Sequence, residues 1–174
     1  MLDEGVRSRH MAVRTLYIAS SNPGKLRDFA AVGESRGFII AEMPCLDRIP
    51  APPEDQPTFE GNARAKAIYY SRLAPGYDIL ADDSGLEVDA LDGNPGVRSA
   101  RYAADAGFAH TGDPDSDNNL LLLRKLAGIE KDQRTARYRC VLALANNPEE
   151  DRMSRIIGAV EASRVRTPWI RGTA

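Results

Sequence analysis

Apolar residues recur along the chain in two rhythms, and the alternation between them lays out the elements. "TLYIAS" (15–20) is a short apolar run rich in β-formers and bounded by "SNPG", which predicts a strand. From Lys25 the spacing changes. Leu26, Phe29, Ala30 and Val32–Gly33 recur at helical intervals as far as Gly37, which predicts a helix and its stop. "FIIAEM" (38–43) reads as a second strand. "PCLDRIPAPPEDQP" (44–57) holds five prolines and must be a loop, because proline neither donates to a ladder nor continues a helix. Thr58 is placed to cap a helix over "FEGNARAKAIYYSRLA", which its alanines favour and Gly61 weakens only slightly.

Further on, "YDILA" (77–81) predicts a strand with the DDSG at its end, and "GLEVDAL" (85–91) a further short strand. "DGNPGVRSARYA" (92–103) reads as a loop running into a short helix. "DPDSDNNLLLLRKLAG" (113–128) reads as a capped helix ending at Gly128, with the four leucines 120–123 in the core. "TARYRCVLALAN" (135–146) and "RIIGAVEASRV" (155–165) predict two more strands. Strands alternate with helices, without repeats or a low-complexity linker, so a single α/β or α+β domain is expected over 14–174. The start, "MLDEGVRSRHMAVR", lacks the apolar core of a signal peptide. Residues 1–13 are expected to be a disordered tail, with Met11 an alternative start.

Composition narrows the function classes. The chain has 174 residues, enough for one core, with 43% hydrophobic and 28% charged residues, as in soluble globular proteins. A net charge of -2 provides no basic field for nucleic acid or a membrane surface, so any nucleotide-like ligand must be bound locally. No apolar run approaches the roughly 20 residues of a membrane helix. Cys45 and Cys140 are far apart and form no CxxC, which argues against a disulfide scaffold or a zinc site and for a reduced, cytoplasmic protein. His10 and His110 stand near no serine, cysteine or acid pattern that would make a catalytic triad.

The candidate chemistry sits in five short stretches, each with a plainer reading beside it. Ser20, Ser21, Asn22, Pro23, Gly24 and Lys25 lie between a strand and a helix. They form either an anion site of backbone N–H groups plus a lysine, or an ordinary turn with a solvated lysine. Glu54-Asp55, in the proline-stiffened loop, supplies either a metal ligand or acids facing a helix dipole. Asn62 and Lys66, four apart, share one helix face, either functional or merely solvated. Asp82, Asp83 and Ser84 follow an apolar run at the expected end of a strand, where α/β sheets gather their ligand sites. Neighbouring carboxylates suit Mg²⁺, which takes one or two of them together with phosphate oxygens; a turn cap is the alternative. Arg98 and Arg101 match phosphate geometry or form a basic surface.

Taken in order, "LYIASSNPGKLRDF", "PEDQPTFEGNARAKA", "LADDSGLEVDALDGNPGVRSARYA", "DPDSDNNLLLLRKL" and "RTARYRCVLAL" closely resemble the non-canonical purine nucleoside triphosphate pyrophosphatases, which include the inosine triphosphate pyrophosphatases. The resemblance runs from about Thr15 to about Val160. It implies an elongated α/β fold with a mixed central sheet flanked by helices, and two lobes with an active-site cleft between them. It also implies Mg²⁺-dependent hydrolysis of dITP, ITP and XTP to the monophosphate and pyrophosphate, and a homodimer that cleanses the nucleotide pool. By the same resemblance, Ser20 through Lys25 form the first phosphate loop and Glu54 is a metal ligand. Asp83 is metal ligand and general base, supported by Asp82, Arg98 and Arg101. Ser84, Asn62 and Lys66 contact substrate. Gly61 replaces the family's usual glutamate.

The resemblance also implies a further segment, carrying GFGYDP and SHR motifs, that is not found here. After Gly158 the sequence runs "AVEASRVRTPWIRGTA", with Ala162 where a second glycine is expected. A frameshift or premature stop would produce such a tail. Beside the active enzyme stand two other readings: a degenerate member that binds metal or triphosphate, or dimerises, without efficient catalysis, and a phosphohydrolase of broader nucleotide choice.

Overall fold

The structure is a computed structural model that describes residues 14–108 and 111–146 in full and residues 155–167 as a strand. The readings made on residues 1–13, His10, Met11 and His110, and on the tail beyond residue 167, lie outside the described residues.

Five strands form one mixed sheet in the order β2-β1-β3-β4-β5. They are β1 (Arg14–Ile18), β2 (Phe38–Glu42), β3 (Asp78–Val88), β4 (Ala136–Asn146) and β5 (Arg155–Thr167). β1 runs parallel to both β2 and β3, whereas β4 is antiparallel to β3 and β5 is antiparallel to β4. Helices α1 (Pro23–Ser35), α2 (Phe59–Leu73), α3 (Tyr102–Asp105) and α4 (Pro114–Lys125) flank the sheet. This is the mixed, helix-flanked α/β class expected from the sequence.

Local chemistry sets the helix ends. The Asn22 side chain accepts from the Gly24 and Lys25 N–H groups and Pro23 opens the first turn of α1, while Gly37 leaves at φ +76°. Thr58 Oγ1 accepts from Gly61 N at 3.0 Å to cap α2, and Asp113 caps α4 through Ser116 N at 2.9 Å. On α2 and its C-cap, Phe59, Ala63, Ala67, Tyr70 and Ala74 make one apolar stripe, packed on Ile79 and Ala81 of β3 and on Val141, Ala143 and Ala145 of β4. The small alanines let helix and sheet backbones approach closely. A second cluster joins Leu122 and Leu126, from α4 and its end, to Val88 and Ala136.

Two expectations are corrected. The four leucines do not all enter the core: Leu121 and Leu122 are buried, but Leu120 is 44% exposed, because consecutive helical residues fan around the axis. The DDSG does not end a strand either. "YDILA" and "GLEV" belong to one 11-residue strand, held extended by β4 along its whole length from Asp78↔Asn146 to Val88↔Ala136. The local turn signal loses to a continuous ladder.

At the far end of that ladder, Glu87 meets Arg137 Nε at 2.8 Å and Arg139 Nη1 at 3.1 Å. Burial alone would push the Glu87 carboxyl up, but hydrogen bonds from the two arginines more than offset it and hold it below its ordinary value. The pairing therefore adds stability above the unfolded-state range, about pH 4.3, and that stability disappears as pH falls through the lower folded value. Glu87→Gln is expected to lower Tm at neutral pH, and the gap from the parent protein should close below about pH 4. Thermal scans of both proteins between pH 7 and pH 3 test this, and a constant gap would contradict it.

Candidate active site

A cavity of about 680 Å³ opens beyond the carboxyl end of β1. Its walls come from the β1–α1 turn, the proline-rich loop 44–57, α2, and the middle of β3. Such crevices form where parallel strands end and their connections diverge.

On one wall, Lys25 from the first turn of α1 reaches across to Asp82 with 2.5 Å between Nζ and Oδ2. Asp82 is almost fully buried. Burial works against the charge on Lys25, but the Asp82 carboxylate outweighs it and holds the lysine pKa above its ordinary value. Ser20 and Ser21 line the same wall. The turn's amides are already in use: Asn22 N donates to Ser20 Oγ, and Gly24 N and Lys25 N donate to Asn22 Oδ1. Asn22, Pro23 and Gly24 thus build the helix start, while Ser20, Ser21 and Lys25 face the cavity.

Asp83 points to the opposite sheet face from Asp82, as strand alternation requires. It lies beneath α2, where Asn62 Nδ2 donates to its Oδ2 at 3.0 Å and Lys66 Nζ stands 3.6 Å from its Oδ1. Burial is the main influence on its carboxyl and pushes the pKa up, with Glu54 adding to the rise; the Asn62 and Lys66 contacts only partly oppose it. Lys66 also holds Glu54 Oε1 at 2.7 Å. Arg101 donates to the Glu54 backbone carbonyl and stands 4.0 Å from its carboxylate. The proline loop is therefore tied down by two cations, one from α2 and one from the segment that follows β3.

Asn62 was expected to meet substrate, but it is 1% exposed and turned inward, joining Asp83 to Gln56 N, which its Oδ1 accepts at 3.0 Å. Gly61 lies under the same loop, where an added Cβ would come within 2.9 Å of Gln56 Cβ. Arg98 also departs from expectation: it is exposed and pairs with Asp105 at 3.0 Å, outside the carboxylate group. Ser84 shares the Asp82 face, its Oγ 3.4 Å from the Tyr138 hydroxyl, and does not line the cavity. Both cysteines are free, and burial pushes the Cys140 thiol up, which keeps it protonated.

Sequence reasoning passed over Leu46, Asp47, Ile49 and Tyr70 in the cavity wall. Tyr70 carried a usable signal, since it stands four residues after Lys66 and so shares its helix face. The others sit in a loop without periodicity.

Comparison with known proteins shows the family. Residues 16–173 match the Ham1 family. The chain belongs to the Ham1 family. Among curated proteins it is similar to a dITP/XTP pyrophosphatase of Acidobacterium capsulatum, 51% identical over 139 residues, covering 78% of this chain and 67% of the relative. It is also similar to a dITP/XTP pyrophosphatase of Bacillus licheniformis, 39% identical over 161 residues, covering 92% of this chain and 76% of the relative. Among solved structures, the nucleoside-triphosphatase / dITP/XTP pyrophosphatase of Mycobacterium abscessus superimposes with a TM-score of 0.62 at 34% identity, covering 87% of this chain and 71% of that one. The Ham1 protein of Staphylococcus aureus gives 0.61 at 32% identity, over 85% and 70% of the two chains.

Proposed function

We propose that this chain is a nucleoside triphosphate pyrophosphatase that hydrolyses dITP, ITP and XTP to the monophosphate and pyrophosphate. The observation that carries the reading is a buried Asp83, its carboxyl pushed up by burial, 3.6 Å from Lys66, which edges the cavity together with Lys25 and Arg101. The names of the relatives support the substrate class.

In the proposed reaction Lys25, Lys66 and Arg101 meet the triphosphate oxygens, and the hydroxyls of Ser20 and Ser21 add hydrogen bonds. Water oxygen bonds to the α-phosphorus while the bond from that phosphorus to the bridging oxygen breaks. Pyrophosphate leaves against the cations. Asp83, with its raised pKa, takes the water's proton. Asn62 fixes the orientation of the Asp83 carboxylate, and Asp82 fixes Lys25.

Among the described residues no three His, Cys, Asp or Glu side chains gather as a metal cage. Mg²⁺ does not need one: it keeps several waters and takes one or two carboxylates with phosphate oxygens, which the pair Glu54 and Asp83 fits. When bound there, it would supply positive charge against the phosphate oxygens.

A cytoplasmic homodimer is part of the proposal. It is supported by two free cysteines, by the absence of any membrane-crossing helix among the described residues, and by exposed Val32, Phe38 and Ile39 near the edge strand β2. Pyrophosphate release from ITP, XTP and ATP, with and without Mg²⁺, tests the reaction. ITP and XTP should be turned over far faster than ATP, and only with metal. Equal turnover of all three, or none from folded protein, contradicts the proposal.

A further inference from the structure

Lys66 sits between the two carboxylates to which the proposed function gives a metal. Its ammonium is 2.7 Å from Glu54 Oε1 and 3.6 Å from Asp83 Oδ1, on a side chain only 14% exposed. Glu54 and Asp83 come from different elements, the proline loop and β3, and within 4 Å the cation that both of them approach is Lys66. Two carboxylates brought together with a half-hidden unit charge between them is the arrangement a divalent ion would otherwise satisfy. The ion pairs around the cavity join three carboxylates, Glu54, Asp82 and Asp83, to three cations, Lys25, Lys66 and Arg101. Asp47 in the cavity wall and Asp105, 3.5 Å from Arg101, add acidic charge beside this network. A divalent ion that reached Glu54 and Asp83 would meet Lys66 there as a like charge.

We propose that Lys66 is a placeholder for the divalent ion: it neutralises Glu54 and Asp83 in the free protein, gives up that position when metal binds, and turns to the triphosphate. The inference rests on the reading of Glu54 and Asp83 as metal ligands. It adds that lysine and metal compete for one position, so Lys66 opposes metal binding before it assists the reaction. A lysine that served only to hold the loop would stay on Glu54 and gain no exposure when metal binds.

Mn²⁺ binding by calorimetry or electron paramagnetic resonance, without nucleotide, separates these cases. Lys66→Gln is expected to bind Mn²⁺ about tenfold more tightly than the parent protein while losing pyrophosphate release from ITP. Lys25→Gln serves as the charge control, since it removes the same unit charge from the Asp82 side, and its gain should be clearly smaller. Equal gains in the two variants, or unchanged or weaker binding in Lys66→Gln, overturn the placeholder role. If the parent protein hydrolyses ITP in a Mg²⁺-dependent way, they do so without touching the proposed function. No Mn²⁺ binding together with no hydrolysis by folded protein overturns both.

A second measurement uses the unaltered chain. Reductive methylation of Lys66, mapped by mass spectrometry, should be slow without metal and several-fold faster with Mn²⁺. An unchanged or slower rate contradicts the exchange.

Discussion

Asp83→Asn is expected to abolish pyrophosphate release, by about 10³-fold or more, and at the same time to raise thermal stability at neutral pH in the absence of metal. The two effects have one cause. Asp83 is buried, and burial holds its carboxyl above the ordinary range, so the folded protein bears a cost for keeping it ionised. A group whose folded pKa is raised contributes most below its unfolded value, and that contribution is lost as pH rises through the folded value. The parent protein should therefore gain stability relative to Asp83→Asn as pH falls from 7 toward the ordinary aspartate range, near 4. Asparagine keeps the shape and removes the charge. It leaves an amide beside Asn62 Nδ2, which now bonds Oδ2 at 3.0 Å, and leaves Lys66 with Glu54 alone. Thermal scans across pH, alongside an ITP assay, test both halves. Near-normal turnover would remove Asp83 from the chemistry, and a large loss of stability with no pH-dependent difference would contradict the cost of its burial.

Gly85→Val is expected to lower Tm by roughly 10 °C, corresponding to about 3–4 kcal/mol for a domain of this size. Gly85 lies in β3, two residues after Asp83, where the 3-10 segment Gly96–Arg101 crosses the sheet. A Cβ there would drive into the Gly96 carbonyl, Ser99 Oγ and the Phe59 ring. The carbonyl is backbone and cannot swing aside. Ser99 bridges the crossing, accepting from Leu86 N at 2.8 Å and donating to Gly96 O at 2.6 Å, so the clash also breaks these bonds. The same segment delivers Arg101 to Glu54. Activity should therefore fall with stability, although no valine atom would reach the cavity. Calorimetry checks the first effect and an ITP assay on protein held well below its Tm checks the second. A Tm within about 2 °C of the parent would show that the crossing yields more readily than its contacts suggest.

These two positions show how unevenly the molecule could be read from its residues. Apolar periodicity located α2, α4 and β4, because each buries one face and the burial imposes its spacing. Thr58 was legible as a cap and the helix from Asp113 as capped, because capping needs only neighbouring atoms, whereas the Asn22 cap showed only in the structure. The middle of β3 was not legible. Two aspartates, a serine and a glycine carry a turn signal, and only β4 pairing alongside, with Lys25 and Lys66 answering the two charges from opposite faces, makes an extended strand stable there. The three-residue spacing of Arg98 and Arg101 likewise told nothing about which of them would turn toward Glu54.

The sequence by itself determined the class of fold, the helix boundaries and the set of stretches from which a site could be drawn, since periodicity, capping and proline content act over a few residues. The tertiary structure alone decided which of those residues meet. Whether Asn62 faces solvent or Asp83, whether Arg101 or Arg98 holds the proline loop, and that Lys66 stands between Glu54 and Asp83 depend on contacts between residues 12 to 47 positions apart. Charge and burial act through space, and no local pattern in the chain encodes those distances.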